Sequence, residues 1–266
     1  MLLEIDEQLQ LQPNVVVAPV GVGSLAQSIV SHYKTGSGVT AVLTVEPDTA
    51  ASLYKSLKID KSTTITTSST IMTGLECGTI STAAWPILEK GIDASTTVSD
   101  FEVYEAIRYL ENAGVFAGPC GAAALAGFKH VARKAPHLLR LDKDAVVVLI
   151  CTEGSRDYKI PKSVSQDDLS TLTRNLEQLD SASSAGTGIG KIELTTYIAQ
   201  WLEHRDIEVH WLESIPGQPS IVGTVKGGSG EKSIELNAHS DSIEYLAASI
   251  IALSQFKAAN LNGALP

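Results

Sequence analysis

Cysteine is scarce. Three in 266 residues are too few and too scattered for a disulfide framework or a zinc knuckle, which fits a reducing compartment. Basic residues are also in short supply: 20 Lys and Arg face 30 Asp and Glu, a formal charge of -10 with a pI near 5.0. Such a surface repels phosphate backbones and anionic lipid, so neither nucleic acid nor a membrane is an expected partner. No apolar run reaches bilayer-spanning length. Glu4, Asp6 and Glu7 give the N-terminus the wrong charge for a signal or transit peptide, so the expected location is cytoplasmic. There is no internal repeat. The remainder is ordinary: 44% hydrophobic and 19% charged residues exclude wholesale disorder. The length suits one large domain or two small ones.

Three apolar segments, 14–20, 39–45 and 144–151, have the continuous character of strands buried on both faces of a parallel sheet. Helical spacing falls between them, over 25–34, 49–58, 101–112 and about 119–134, with Asp48 and Asp100 as candidate caps. Alternation of strand and helix predicts an α/β fold, with the three strands as parallel neighbours. Residues 60–70 are rich in Ser and Thr and predict a loop or a short strand. After Pro161 the chain turns polar, and 181–190 is loop-like. Helices are expected over 167–179, 191–204 and 245–259, and strands over 207–213, 219–226 and 233–238. The expected division is 1–161, a linker with a short helix over 162–189, and 190–266.

Gly21-Val22-Gly23-Ser24 follows a buried strand and opens a helix. Glycine lets backbone N–H groups approach an anion, and the helix adds its positive end, so the segment suits a phosphate. It equally suits a tight strand–helix turn, and the third glycine of a dinucleotide fingerprint is absent. Cys120, between Pro119 and Gly121 at a helix start, is either a weak donor pointing into a cleft or a small packing residue. Glu46 closes a strand, as a crevice carboxylate or a solvated loop acid.

The order of these segments resembles pyridoxal-phosphate enzymes of the tryptophan synthase β-subunit fold, and among them the diaminopropionate ammonia-lyase group. The resemblance runs over residues 2–161. It is carried by Pro19-Val-Gly-Val-Gly-Ser-Leu-Ala26, Val45-Glu-Pro47, Thr70-Ile-Met-Thr-Gly74, Ala84-Trp-Pro86, Gly118-Pro-Cys-Gly-Ala-Ala123 and Thr152-Glu-Gly154. It implies that Gly21, Val22, Gly23, Ser24 and Leu25 hold the cofactor phosphate and that Cys120 faces the pyridine nitrogen; Glu46, by its place at a strand end, is a further cofactor-binding candidate. A neutral donor there favours elimination over transamination. The family's Schiff-base lysine stands in a segment well before the phosphate loop. Here 20 residues precede Gly21 and none is lysine. The expectation is the C-terminal part of a lyase-like domain, holding its cofactor without a covalent bond and impaired in turnover.

His239-Ser240-Asp241 ends a predicted strand, which puts both side chains on one side: a metal ligand with its orienting acid, or a surface pair. Residues 166–261 resemble the N-terminal part of the zinc-dependent acetylornithine deacetylase and succinyl-diaminopimelate desuccinylase family. The likeness rests on Gly190-Lys-Ile-Glu, Trp201-Leu202-Glu203, Ile215-Pro-Gly217 and Ile234 to Asp241. It implies a partial α/β exopeptidase-like segment with His239 as a zinc ligand and Asp241 as a catalytic support. One histidine cannot hold catalytic zinc, which takes three protein ligands. The expected ligand is an amino acid or acyl-amino acid, and a homo-oligomer is possible. Two alternatives stand beside this reading. One is a non-catalytic binding or oligomerising protein. The other is an enzyme, lyase or zinc deacylase, completed by another chain.

Overall fold

The computed structural model describes residues 1–35, 39–139, 141–164, 174–176, 179, 189–205, 207–215 and 218–224. The chain divides after Pro161 into two units. The first opens on α1 (Leu2–Leu9), which the sequence pattern does not announce. It then alternates: β1 (Val15–Pro19), α2 (Ser24–Tyr33), β2 (Ala41–Pro47), α3 (Ser52–Lys58), α4 (Trp85–Gly91), β3 (Ala94–Val98), α5 (Asp100–Asn112), α6 (Pro119–Lys134) and β4 (Val147–Leu149).

The four strands pair in the order β3-β2-β1-β4, all parallel. Val15, Val16 and Val17 are wholly buried because β1 has a strand on each side and helices on both faces. Val17 stands beside Leu43 on one flank and Leu149 on the other. Alternate residues serve opposite layers. Val15, Val17, Leu43 and Val45 pack with Val103, Ile107 and the alanines of α6. Val16, Ala18 and Val42 pack with Ile29, Val30, Leu53 and Leu88. Layer spacing is tight: a Cβ on Gly127 of α6 would collide with the Val45 side chain, and one on Gly91 with Val30 Cγ1.

The three expected strands are therefore neighbours in one sheet, with corrections. Only Val147–Leu149 of 144–151 forms a strand, and it is half-buried, because β4 is an edge paired on one side alone. β3 is the opposite edge. Its Ala-Ser-Thr-Thr-Val sequence alternates in burial and offers no apolar run to detect. Residues 60–70 contain no strand. Two caps also differ. Asp48 opens a short 3-10 turn, and α3 starts only at Ser52 with Ala51 as its N-cap residue, which makes no side-chain cap. Ser99, not Asp100, caps α5: its hydroxyl accepts from the Glu102 N–H while the Glu102 carboxylate accepts from the Ser99 N–H, a reciprocal box.

In the second unit, α7 (Ile189–Glu203) leads to an antiparallel hairpin of β5 (Glu208–Ile215) and β6 (Gln218–Thr224). The expected helix over 191–204 is present, and it buries Leu194, Tyr197, Ile198, Trp201 and Leu202. The Arg205 guanidinium lies 3.4 Å from the centre of the Trp201 ring. The expected strand 233–238, the helix 245–259 and most of the helix 167–179 lie outside the described residues. No helix among the described residues is long and apolar enough to cross a membrane.

Candidate cofactor site

An open parallel sheet offers ligands the crevice at the carboxyl ends of its strands. The central strand β1 ends there at Pro19, and the Val20 N–H still bonds to the Val45 carbonyl at 2.8 Å. The chain then turns through Gly21-Val22-Gly23 into α2. Two separate demands require the glycines. Gly23 has φ 97°, in the left-handed region, and a Cβ there would sit 2.9 Å from Leu88 Cδ1. Gly21 has no positive φ to satisfy, but its Cβ would press within 3.1 Å of the Gly74 carbonyl oxygen and 3.2 Å of Cys77 Sγ. As the N-cap residue, Gly23 gives α2 no side-chain cap. The positive end of a ten-residue helix therefore meets an exposed Val22 and Ser24, with Leu25 half-buried behind them. That arrangement fits a phosphate group.

The turn over 70–77 forms a second wall, touching Gly21 through Gly74 and Cys77. It is held from two directions. The Thr70 hydroxyl donates to Asp100 Oδ1 at 2.5 Å, and the Ile71 N–H donates to Asp100 Oδ2 at 3.1 Å. Burial pushes the Asp100 carboxyl above its usual range, against the pull of these bonds. From the other side, Arg156 Nη2 donates to the Ile71 carbonyl at 2.5 Å and to Thr73 Oγ1 at 3.2 Å.

The start of α6 and the segment after β4 make the third wall. The Cys120 N–H donates to Glu153 Oε2 at 2.6 Å, and Arg156 Nε donates to Glu153 Oε1 at 2.7 Å. Burial works to raise the Glu153 pKa, but Arg156 and the Cys120 N–H outweigh it and hold the carboxyl below the usual range. Gly118 and Gly121 leave room for this carboxylate and its backbone. A Cβ on Gly118 would lie 2.7 Å from Glu153 Oε2, and one on Gly121 would lie 2.8 Å from the Glu153 carbonyl oxygen. Burial pushes the Cys120 thiol up, opposed by a bond from Gly74 and reinforced by the charge of Glu153. Cys151, at the end of β4, is exposed.

The structure thus brings Gly21 to Leu25 together at the end of the central strand, and Gly74 links that turn to Cys120. Glu46 is 0% exposed and is not a solvated loop acid. Its carboxylate accepts the N–H groups of Leu53 and Tyr54 at 2.8 and 2.7 Å and so closes the start of α3, the role expected of Asp48. Glu153 stands in the segment Thr152-Glu-Gly154 that carries the family resemblance, which gives it no role, and no sequence pattern singles out Arg156. Their signal was an acid and a base three apart just past a strand, which is also the pattern of a solvated loop. His239 and Asp241 lie outside the described residues. Among the described residues no group of three or more His, Cys, Asp or Glu could hold a metal ion.

Comparison with known proteins bears on the first unit. The family model described as pyridoxal-phosphate dependent enzyme matches residues 1–153. L-threonine dehydratase of Mycobacterium leprae is 31% identical over 158 residues, covering 58% of this chain and 35% of that protein. Diaminopropionate ammonia-lyase of Escherichia coli K12 is 30% identical over 166 residues, covering 57% of this chain and 42% of that one. This chain therefore spans well under half the length of these curated relatives. Among solved structures, the threonine deaminase from T.th. superposes with a TM-score of 0.50 at 28% identity, over 59% of this chain and 51% of that one. The Escherichia coli diaminopropionate ammonia lyase in complex with D-serine gives 0.51 at 26% identity, over 57% and 41%. The matched family region stops short of the segment 166–261.

Proposed function

Because the chain belongs to the pyridoxal-phosphate dependent enzyme family, we propose that residues 1–161 bind pyridoxal phosphate through its phosphate at Gly21–Leu25 and take part in ammonia elimination from a hydroxy or diamino amino acid. One observation carries this: the glycine turn at the end of the central parallel strand delivers an α2 N-terminus whose N-cap residue has no side chain. When bound, the cofactor ring supplies an electron sink for elimination at the substrate Cβ. The chain's own contributions are separate. Gly21 and Gly23 allow the backbone to close on the phosphate, Ser24 adds an exposed hydroxyl, and the α2 end supplies positive potential. Cys120, at the start of α6, brings a neutral thiol to the same end of the sheet.

Lys34 stands just past the opposite end of α2. It donates to Asp93 Oδ2 at 2.5 Å and to the Thr40 carbonyl at 2.8 Å. It is not placed to reach a phosphate at the α2 N-terminus. The proposal gives this chain the phosphate cradle and non-covalent cofactor binding. The test is titration with pyridoxal phosphate followed by borohydride reduction and peptide mapping. Saturable binding that is lost in Gly23→Val, with no single lysine labelled, is the expected result. One stoichiometrically labelled lysine would show covalent attachment, and binding indifferent to Gly23→Val would remove the phosphate from this turn.

A further inference from the structure

The pair Glu153–Arg156 binds three segments that are far apart in sequence. Glu153 receives the N–H at the start of α6, and Arg156 holds Ile71 and Thr73 from 85 and 83 residues away. The 70–77 turn so held is the one whose Gly74 and Cys77 press against Gly21. Asp100 secures the same turn from its other side, at Thr70 and Ile71. Gly21 packs closely on that turn: a Cβ added to it would lie 3.1 Å from the Gly74 carbonyl oxygen and 3.2 Å from Cys77 Sγ. The 70–77 turn is thus one wall of the glycine turn, held by Arg156 and Asp100; the other is the segment over 80–88, whose Ser81 N–H donates to the Val22 carbonyl at 2.9 Å.

We propose that Glu153 and Arg156 are positioning residues for the phosphate site, acting through the 70–77 turn on Gly21 without touching the ligand. This rests on the reading of Gly21–Leu25 as the phosphate cradle. The physics is that of a clamp. The ionised Glu153 fixes Nε of a planar guanidinium, which leaves Nη2 aimed at two acceptors on the turn. Lysine carries the same charge but not the fork, so it satisfies only part of this geometry. Losing the clamp lets Gly74 move, and an ångström of slack in the cradle costs phosphate contacts and leaves the fold intact. Arg156 is well placed for such a role because its side chain remains 31% exposed.

The experiment uses the full chain and two fluorescent probes without an aldehyde, pyridoxamine phosphate and pyridoxamine. Their affinity ratio reads the phosphate site alone. Wild type should prefer the phosphorylated probe. Arg156→Ala and Glu153→Ala should each weaken pyridoxamine phosphate by roughly ten- to a hundredfold and leave pyridoxamine unchanged. Arg156→Lys should recover part of the loss. Thr73→Val, which removes a single contact of the clamp, should show a smaller loss in the same direction even if the alanine variants fold poorly. Arg108→Ala, which removes an exposed positive charge elsewhere, should bind like wild type. A wild type that does not distinguish the probes would overturn the phosphate reading and this inference with it. A wild type that distinguishes them while Arg156→Ala and Thr73→Val keep the same ratio would overturn the positioning role alone. Equal weakening of both probes, or an equal loss in Arg108→Ala, would also overturn it.

Discussion

Glu46 makes stability depend on pH in an unusual direction. It is fully buried, and burial pushes its carboxyl up to about 7 despite the bonds from Leu53, Tyr54 and Ser52. In the unfolded chain the same group titrates near 4.5. Between these values the folded state retains a proton that the unfolded state has released. Folding stability therefore falls as pH rises through the window from 4.5 to about 7, and it is higher below it. At about 1.4 kcal/mol for each pH unit of difference, the window amounts to about 3 kcal/mol. Glu46→Gln has no proton to exchange. Its stability minus that of wild type should rise by about 3 kcal/mol from pH 4.5 to pH 8, while any constant loss from a weakened bond to Leu53 or Tyr54 cancels in the comparison. Denaturant unfolding can be followed by Trp85 alone in a Trp201→Phe, Trp211→Phe background, which confines the signal to the first unit. Parallel pH profiles for the two proteins would show that the two N–H donors keep Glu46 ionised at ordinary acid pKa. A difference that falls with pH would reverse the argument and make the capping bonds the dominant effect.

Other consequences follow from the packing and the caps. Gly127→Ala drives a Cβ into Val45 between α6 and β2 and should lower stability by about 1–3 kcal/mol, whereas Gly154→Ala, with nothing within 4 Å, should change thermal unfolding little. Ser99→Ala removes one arm of the α5 capping box and should cost about 1 kcal/mol in denaturant unfolding. Burial works to raise the Glu102 pKa, but the bonds from His130 and Ser99 hold it low. Its contribution should therefore be present above pH 4.5 and vanish as pH falls through its lowered value, a loss absent from Glu102→Gln. Thiol labelling should reach the exposed Cys151 first and the buried Cys120 last, and mass spectrometry of partially labelled chains would show the opposite order if the α6 start were open.

The centre of the fold was legible in the chain because a strand buried on both faces must be apolar at every position, as Val15, Val16 and Val17 are. The glycine turn was legible for the same local reason: a left-handed residue and a close backbone approach exclude side chains at Gly23 and Gly21. The edge strand β3 was not, since Ser95 and Thr97 face partly outward and its pattern is that of a polar connection. The carboxylates were the least legible. Glu46, Asp100 and Glu153 are each an acid near a strand or helix end in sequence. Only the fold turns Glu46 onto α3, gives Asp100 to the 70–77 turn and sets Glu153 between α6 and Arg156. Local patterns record which residues avoid water. Glu46 finds its partners 7 and 8 residues on, but the 70–77 turn lies about 30 residues from Asp100, and Cys120 lies 33 residues from Glu153; the strand order β3-β2-β1-β4 brings these segments together, and nothing within one of them encodes that meeting.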